Sequence, residues 1–207
     1  VTTVAQLEAD IALRLHDVSN NELTGGTGQL LTLINQASRW LKNSGILVPL
    51  EEDESLTEAA NTYSFAVPAS FAYISQIIRQ NKATDTYDPT NEIDQNVWRI
   101  GVDGGVPTLF FDEVRYLPAA GAKLKIIGQK RPTIYTSTAD TIDEGLENLL
   151  LERTLYYAFQ FLAAGRSEYA QWRQQEALLA RQESELALAR APQQFRMRPN
   201  SRWVPGR

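Results

Sequence analysis

No cysteine occurs among the 207 residues, and histidine occurs once. The first absence excludes disulfide stapling, thiolate nucleophiles and cysteine-based zinc sites. It also fits folding in a reducing compartment. The second leaves His16 with no histidine partner for metal binding. Its place near the end of a helical pattern is explained by a favourable helix-dipole interaction. No run of 18 apolar residues is present, so no membrane span is expected. The opening VTTVAQLEADIALRL has no basic stretch leading into an apolar run, so no secretory signal is expected there.

The motifs of common enzymes are missing as well. GGTG at 25–28 leads into a helix, but no lysine closes it in the phosphate-loop pattern, and a helix rather than a strand precedes it. GVDGG at 101–105 reads as a turn before a strand, not as a dinucleotide fingerprint. Neither G-x-S-x-G nor H-E-x-x-H occurs. The acidic run EEDE at 51–54 lacks calcium-loop spacing and reads as a solvated turn beside a helix–strand connection. Asp140, Asp143, Glu144 and Glu147 cluster before and at the start of a helical stretch, where carboxylates complement the dipole without any acid–base role. No catalytic residue, metal ligand or cofactor site is therefore expected, and the chain reads as a non-enzyme.

What is present is an ordinary globular composition, 43% hydrophobic and 22% charged. The length suits one domain, or one domain with an inserted lobe. The charge is uneven. Residues 191–207 hold Arg196, Arg198, Arg202 and Arg207 and no acid. Four of the 20 basic side chains thus lie there, and the other 190 residues carry 16 basic and 25 acidic ones, a net of −9. A basic arm on an acidic body is suited to a neighbouring acidic surface. A solvated tail is the alternative. Arginines interleaved with Trp and Phe could also hold nucleic acid, but no recognition motif accompanies them, so no sequence-specific DNA binding is expected.

The hydrophobic period divides the chain. Residues 3–17 read as a helix on the stripe Val4, Leu7, Ile11, Leu15 and Val18, with Thr2 or Thr3 as its cap. Residues 28–43 read as a second helix with Leu30, Leu33, Ile34, Ala37 and Leu41 on one face. From about residue 60 the period moves toward two. Strands are expected at 62–67, 73–79, 97–102, 108–111, 113–117 and 122–128, joined by short turns into a small, mostly antiparallel lobe. The polar stretch 81–96 between two of them reads as an exposed loop. Residues 144–163 carry so wide an apolar arc that they form the candidate central helix, with Asp143 as cap. Residues 167–190 form a long helix, with Ser167 as cap. On it Tyr169, Trp172, Leu179 and Leu186 make a narrow stripe for packing against the bundle or a partner subunit. The tail 191–207 has three prolines and no period. It carries Phe195 and Trp203 among its arginines, the residue types that anchor protein interfaces. The expected class is α+β: a bundle of N-terminal (1–58) and C-terminal (141–190) helices, an inserted antiparallel β lobe (59–140), and an extended basic arm (191–207).

That order, with its local segments, resembles a known family. LRLHD followed by QLLTLINQASRWL, the hairpin YSFAVPASFAYISQI, the run WRIGVDGGVPTLFFDEVRYLPAAGAKLKIIGQKRP and the acidic cap and core helix TADTIDEGLENLLLERTLYYAFQFL are similar to the head-to-tail adaptors of tailed bacteriophages. These are also called connector, head completion or tail tubular proteins. The resemblance covers about residues 3–190. It implies a non-enzymatic virion protein of the neck. Typically twelve copies self-associate into a closed ring under the portal protein. The ring extends the channel through which DNA passes and gives tail or tail-tube protein a docking platform. No membrane partner is implied, and assembly would take place in the bacterial host cytoplasm. In that setting Phe195, Arg196, Arg198, Arg202 and Trp203 would anchor the arm on the portal. A tail terminator or stopper of the same particle, or an unrelated intracellular binding module, is the alternative.

Overall fold

The structure is a computed structural model that describes residues 2–16, 23, 28–82, 84–164, 170–191, 195–196 and 201–206, leaving aside the side chains of 50–53. It divides into two compact units, one of Val1–Ile46 with Pro132–Gln193 and the other of Leu47–Arg131 with Gln194–Arg207.

The first unit is helical: α1 (Val4–Arg14), α2 (Gln29–Asn43), α3 (Glu147–Ala164) and α4 (Ala170–Ala189). Thr3 caps α1 through a capping box. The Gln6 N–H donates to Thr3 Oγ1 at 3.3 Å, and the Thr3 N–H donates to Gln6 Oε1 at 2.8 Å. Val4, Leu7, Ile11 and Leu15 of the first expected stripe are buried, Val18 lying outside the described residues, and the α2 stripe is buried too. Helix α3 packs against α1, α2 and α4. It buries Leu149, Leu150, Leu151, Leu155, Ala158, Phe159 and Leu162, as its wide apolar arc requires. Arg153 is buried with them, its guanidinium 4.2 Å from the Trp40 ring centre and 4.5 and 4.9 Å from those of Tyr156 and Tyr157. A planar cation stacks in such a site as an ammonium does not. Arg153→Lys is expected to lower stability by about 1–2 kcal/mol in denaturant unfolding; an unchanged midpoint would show that the rings do not use the guanidinium.

Asp143 does not cap α3, which begins four residues later. Its carboxylate instead takes the Thr133 N–H at 2.8 Å and hydroxyl at 3.0 Å. Those bonds close the loop 133–146 on itself, and Asn35 of α2 pins it to the bundle by pairing with both the N–H and the carbonyl of Tyr135 at 2.8 Å. Asp140 serves the same loop. It accepts the Thr136 and Ser137 N–H groups, and those bonds hold its carboxyl below the usual range.

The second unit is two antiparallel sheets. The first has the order β1-β6-β3-β7 and the second β2-β5-β4. The strands are β1 (Val48–Thr57), β2 (Ser64–Ala66), β3 (Tyr73–Arg79), β4 (Trp98–Asp103), β5 (Val106–Phe111), β6 (Lys123–Lys130) and β7 (Arg202–Trp203). Their core includes Phe71, Ile74, Ile77, Trp98, Leu109, Phe111, Leu124 and Ile126. Two expectations need correction. EEDE at 51–54 is not a turn but the middle of β1, whose pairing with β6 is irregular between Leu50 and Leu56. Acidic residues are depleted in strands, and those irregularities erase the two-residue period that would have revealed one. Conversely, 113–117 is not a strand. Asp112 Oδ1 accepts the N–H groups of Val114 and Arg115 at 2.9 and 3.2 Å, a local bond that competes with a sheet ladder.

Gly128 permits close approach of β3 and β6. A Cβ there would fall on the Tyr73 carbonyl oxygen and 2.7 Å from Phe71 Cδ1. Gly128→Ala is expected to cost about 2–3 kcal/mol by overpacking. Chemical denaturation measures it, and a cost below about 0.5 kcal/mol, the level of a neutral surface change, would mean the strands part freely.

Candidate partner-binding surfaces

The C-terminal segment is built into the β unit. Phe195 is 1% exposed, and its carbonyl accepts the Leu47 N–H at 2.8 Å. The Arg196 carbonyl accepts Gln129 Nε2 at 2.7 Å, while its side chain is exposed. The chain then forms β7 on the edge of β3, with Trp203 opposite Tyr73 and Arg202 opposite Ile74. The Arg202 guanidinium donates to the carbonyls of Trp98 and Gln95 and lies 4.5 Å from the Trp98 ring centre. Burial holds its pKa below the usual arginine value. Val204 follows, fully buried in the sheet core, its N–H on the Ala72 carbonyl at 2.8 Å. Trp203 points the other way and is 52% exposed. Of the five arm residues singled out in the sequence, the structure therefore packs Phe195 and Arg202 on their own unit and displays Arg196 and Trp203. Arg198 lies outside the described residues.

Helix α4 carries the second set. The face buried in its own unit is Arg173, Ala177, Ala180 and Ser184. These mostly small side chains, spaced 4, 3 and 4, let α4 lie close on α3. The stripe expected from sequence is turned elsewhere: Trp172, Leu179 and Leu186 are 43%, 52% and 53% exposed. Only Trp172 keeps an aromatic neighbour, Phe159, edge-on at 6.0 Å. Tyr169, and Ser167 as the proposed cap, lie outside the described residues. Trp172, Leu179 and Leu186 thus do not form the intrachain seam. The signal for the true seam was the alanine and serine spacing, which hydrophobicity alone does not raise above background.

Sequence reasoning missed a third feature, a rigid loop after β5. Glu58 is buried and its carboxylate gathers Arg79 Nε at 2.9 Å, the Tyr116 hydroxyl and the Ala119 N–H. Arg79 also donates to the Leu117 carbonyl at 2.9 Å, and Tyr116 stacks on Phe111 with centroids 4.0 Å apart. Burial, reinforced by Glu58, pushes the Tyr116 hydroxyl well above the usual tyrosine range.

A reaction centre would need converging nucleophiles, bases or ligands. Among the described residues no group of three or more His, Cys, Asp or Glu side chains is placed to hold a metal. An open cavity of about 740 Å³ lies against Tyr63, Trp98, Arg99, Phe110 and Arg202, and neither histidine nor cysteine lines it. No described helix is long and apolar enough to cross a membrane.

These features define a class: a mixed α+β protein with small antiparallel sheets, whose notable surfaces are exposed apolar and aromatic side chains on rigid elements. Exposed apolar patches of this kind mark interaction sites. Compared with protein-family models, residues 2–202 match the SU10 adaptor protein, and the chain belongs to that family of head-to-tail adaptors. Membership of an adaptor family sets it among structural proteins rather than enzymes. No curated protein matches the chain.

Proposed function

We propose that this protein is the head-to-tail adaptor of a tailed phage particle, closing into a ring of typically twelve copies beneath the portal. In this reading it extends the DNA channel and presents a platform to the tail or tail-tube protein. The observation that carries the reading is the adaptor-family match across nearly the whole chain. The exposed stripe Trp172, Leu179 and Leu186, with Tyr169 beside it in sequence, supplies a subunit contact, since a ring repeats one weak contact until it becomes a lasting one. The segment with Phe195, Arg196, Arg198, Arg202 and Trp203 supplies the portal contact. Trp203 and Arg196 meet the portal as folded, with Phe195 and Arg202 holding their segment on the β unit. DNA passes without sequence-specific binding, and an acidic body limits sticking of its phosphates. The site of action is the virion neck, after assembly in the host cytoplasm.

Co-sedimentation with purified portal rings and, separately, with tail-tube protein tests the reading. Binding to portal rings that Trp203→Ala weakens supports the adaptor and its anchor. Portal binding indifferent to Trp203 keeps the adaptor and removes the anchor. Binding to tail-tube protein alone makes the chain a terminator or stopper.

A further inference from the structure

A closed ring of more than two copies needs two different patches on each chain, because the contact runs head to tail. The α4 stripe is one of them. Its three residues are seven apart, so successive members drift only about 20° and lie along one line of the helix. Glu176 and Glu183, four residues after Trp172 and Leu179, flank that line. Glu183 also lies beside the Glu152 carboxyl of α3, whose charged form is disfavoured by burial and then by that neighbour, although Arg14 is bound to it at 2.7 Å. The stripe is therefore apolar, with Glu176 and Glu183 along one border and the exposed Arg190, four residues after Leu186, closing its C-terminal end.

The loop 112–119 offers a second exposed apolar pair with one arginine between its members. Val114 and Leu117 are 94% and 81% exposed, the two most exposed large apolar side chains among the described residues. Yet the backbone that carries them is tied at several points. The Asp112 N–H is on the Val97 carbonyl and the Tyr116 N–H on the Asp112 carbonyl. The Asp112 side chain holds Val114 and Arg115, Arg79 holds the Leu117 carbonyl, and Glu58 holds Tyr116 and Ala119. Water-facing aliphatic side chains on a fixed loop lose little freedom when a partner covers them. Arg115 stands between the two. Its side chain is 67% exposed and meets Asp112 only at 4.0 Å, leaving the guanidinium open to a second carboxylate. Glu113 lies outside the apolar pair in sequence.

We propose that the 112–119 loop of one copy packs on the α4 stripe of the next, with Val114 and Leu117 against Trp172, Leu179 and Leu186 and Arg115 toward Glu176 and Glu183. This contact rests on the ring reading and specifies it. Apolar surface meets apolar surface, and the one arginine of the loop meets the acidic border of the helix.

Because the chain has no cysteine, two single-cysteine variants test the contact without background. Leu117→Cys and Leu179→Cys both replace half-exposed or more exposed side chains, and unchanged melting curves verify that each folds. The variants are incubated under mild oxidation on purified portal rings, alone and as an equal mixture. A disulfide forms only when the two Cα atoms come within about 7 Å. The expected result is a linked pair in the mixture, with a peptide joining 117 to 179, and little linkage in either variant alone. Linkage in the mixture no greater than in the single variants, while the native chain still forms rings, overturns this contact and leaves the ring reading standing. Failure of the native chain to form rings on the portal removes both.

Discussion

Truncation after Gln193 is expected to unfold the β unit or bring it close to unfolding. The deleted segment fills the core with Phe195 and Val204, pairs β7 with β3, and bonds Arg202 to two carbonyls beside Trp98. Burial of the two apolar side chains alone contributes about 3–6 kcal/mol, a large share of what a small domain has to spare. Without the segment, the Trp98 face and the Ala72 carbonyl are left uncovered. Near-ultraviolet circular dichroism and thermal unfolding should show lost tertiary signal and an earlier transition. Trp203→Ala, by contrast, removes a half-exposed side chain and should change stability by no more than about 0.5–1 kcal/mol. A truncated chain as stable as the full one would show that the segment is not part of the β unit in solution. The contrast also guides any portal experiment, since loss of binding on truncation would report unfolding as readily as a lost anchor, whereas the point substitution would not.

Glu58→Ala is the second large effect expected, a loss of about 3–5 kcal/mol, the usual consequence of removing one member of a buried ion pair. Three donors converge on that carboxylate, and all three lose their acceptor together. The loop 112–119 should loosen as well, so amide exchange at Val114 to Ala119 should quicken more than elsewhere in the unit. Protection unchanged in that loop would mean that the Phe111–Tyr116 stack holds it unaided. The same cluster has an alkaline signature. The Tyr116 pKa is raised on folding, so its contribution is complete below the ordinary tyrosine value of 10.0 and is lost as pH climbs beyond it toward the folded-state pKa. Stability should hold to about pH 10 and fall above it, and Tyr116→Phe should lessen that fall.

Where side-chain period was strong, the fold was legible. All four helices lie where their apolar spacing put them, displaced by at most three residues at the ends, and of the two expected caps Thr2 and Thr3 it is Thr3 that caps α1. Tyr73–Arg79 is the strand expected there. Legibility failed where a side chain worked against its usual preference. The acids of β1 sit in a strand with irregular pairing, and Asp112 turns a β-prone segment into a fixed loop. It failed also where composition could not tell one partner from another. Phe195 and Trp203 mark a tail that is not merely solvating, but only the structure shows Phe195 buried, Val204 in the chain's own sheet core and Trp203 exposed. Helix α4 makes the same point from the other side. Its conspicuous large residues face outward, and small ones make the intrachain seam, because close helix packing rewards shape rather than hydrophobicity.

The adaptor role itself is tested most directly by imaging portal rings after incubation with the full chain. The account predicts a second, symmetric ring on one end of the portal, continuous with its channel. Portal rings that remain bare, while the chain binds tail-tube protein, would contradict it.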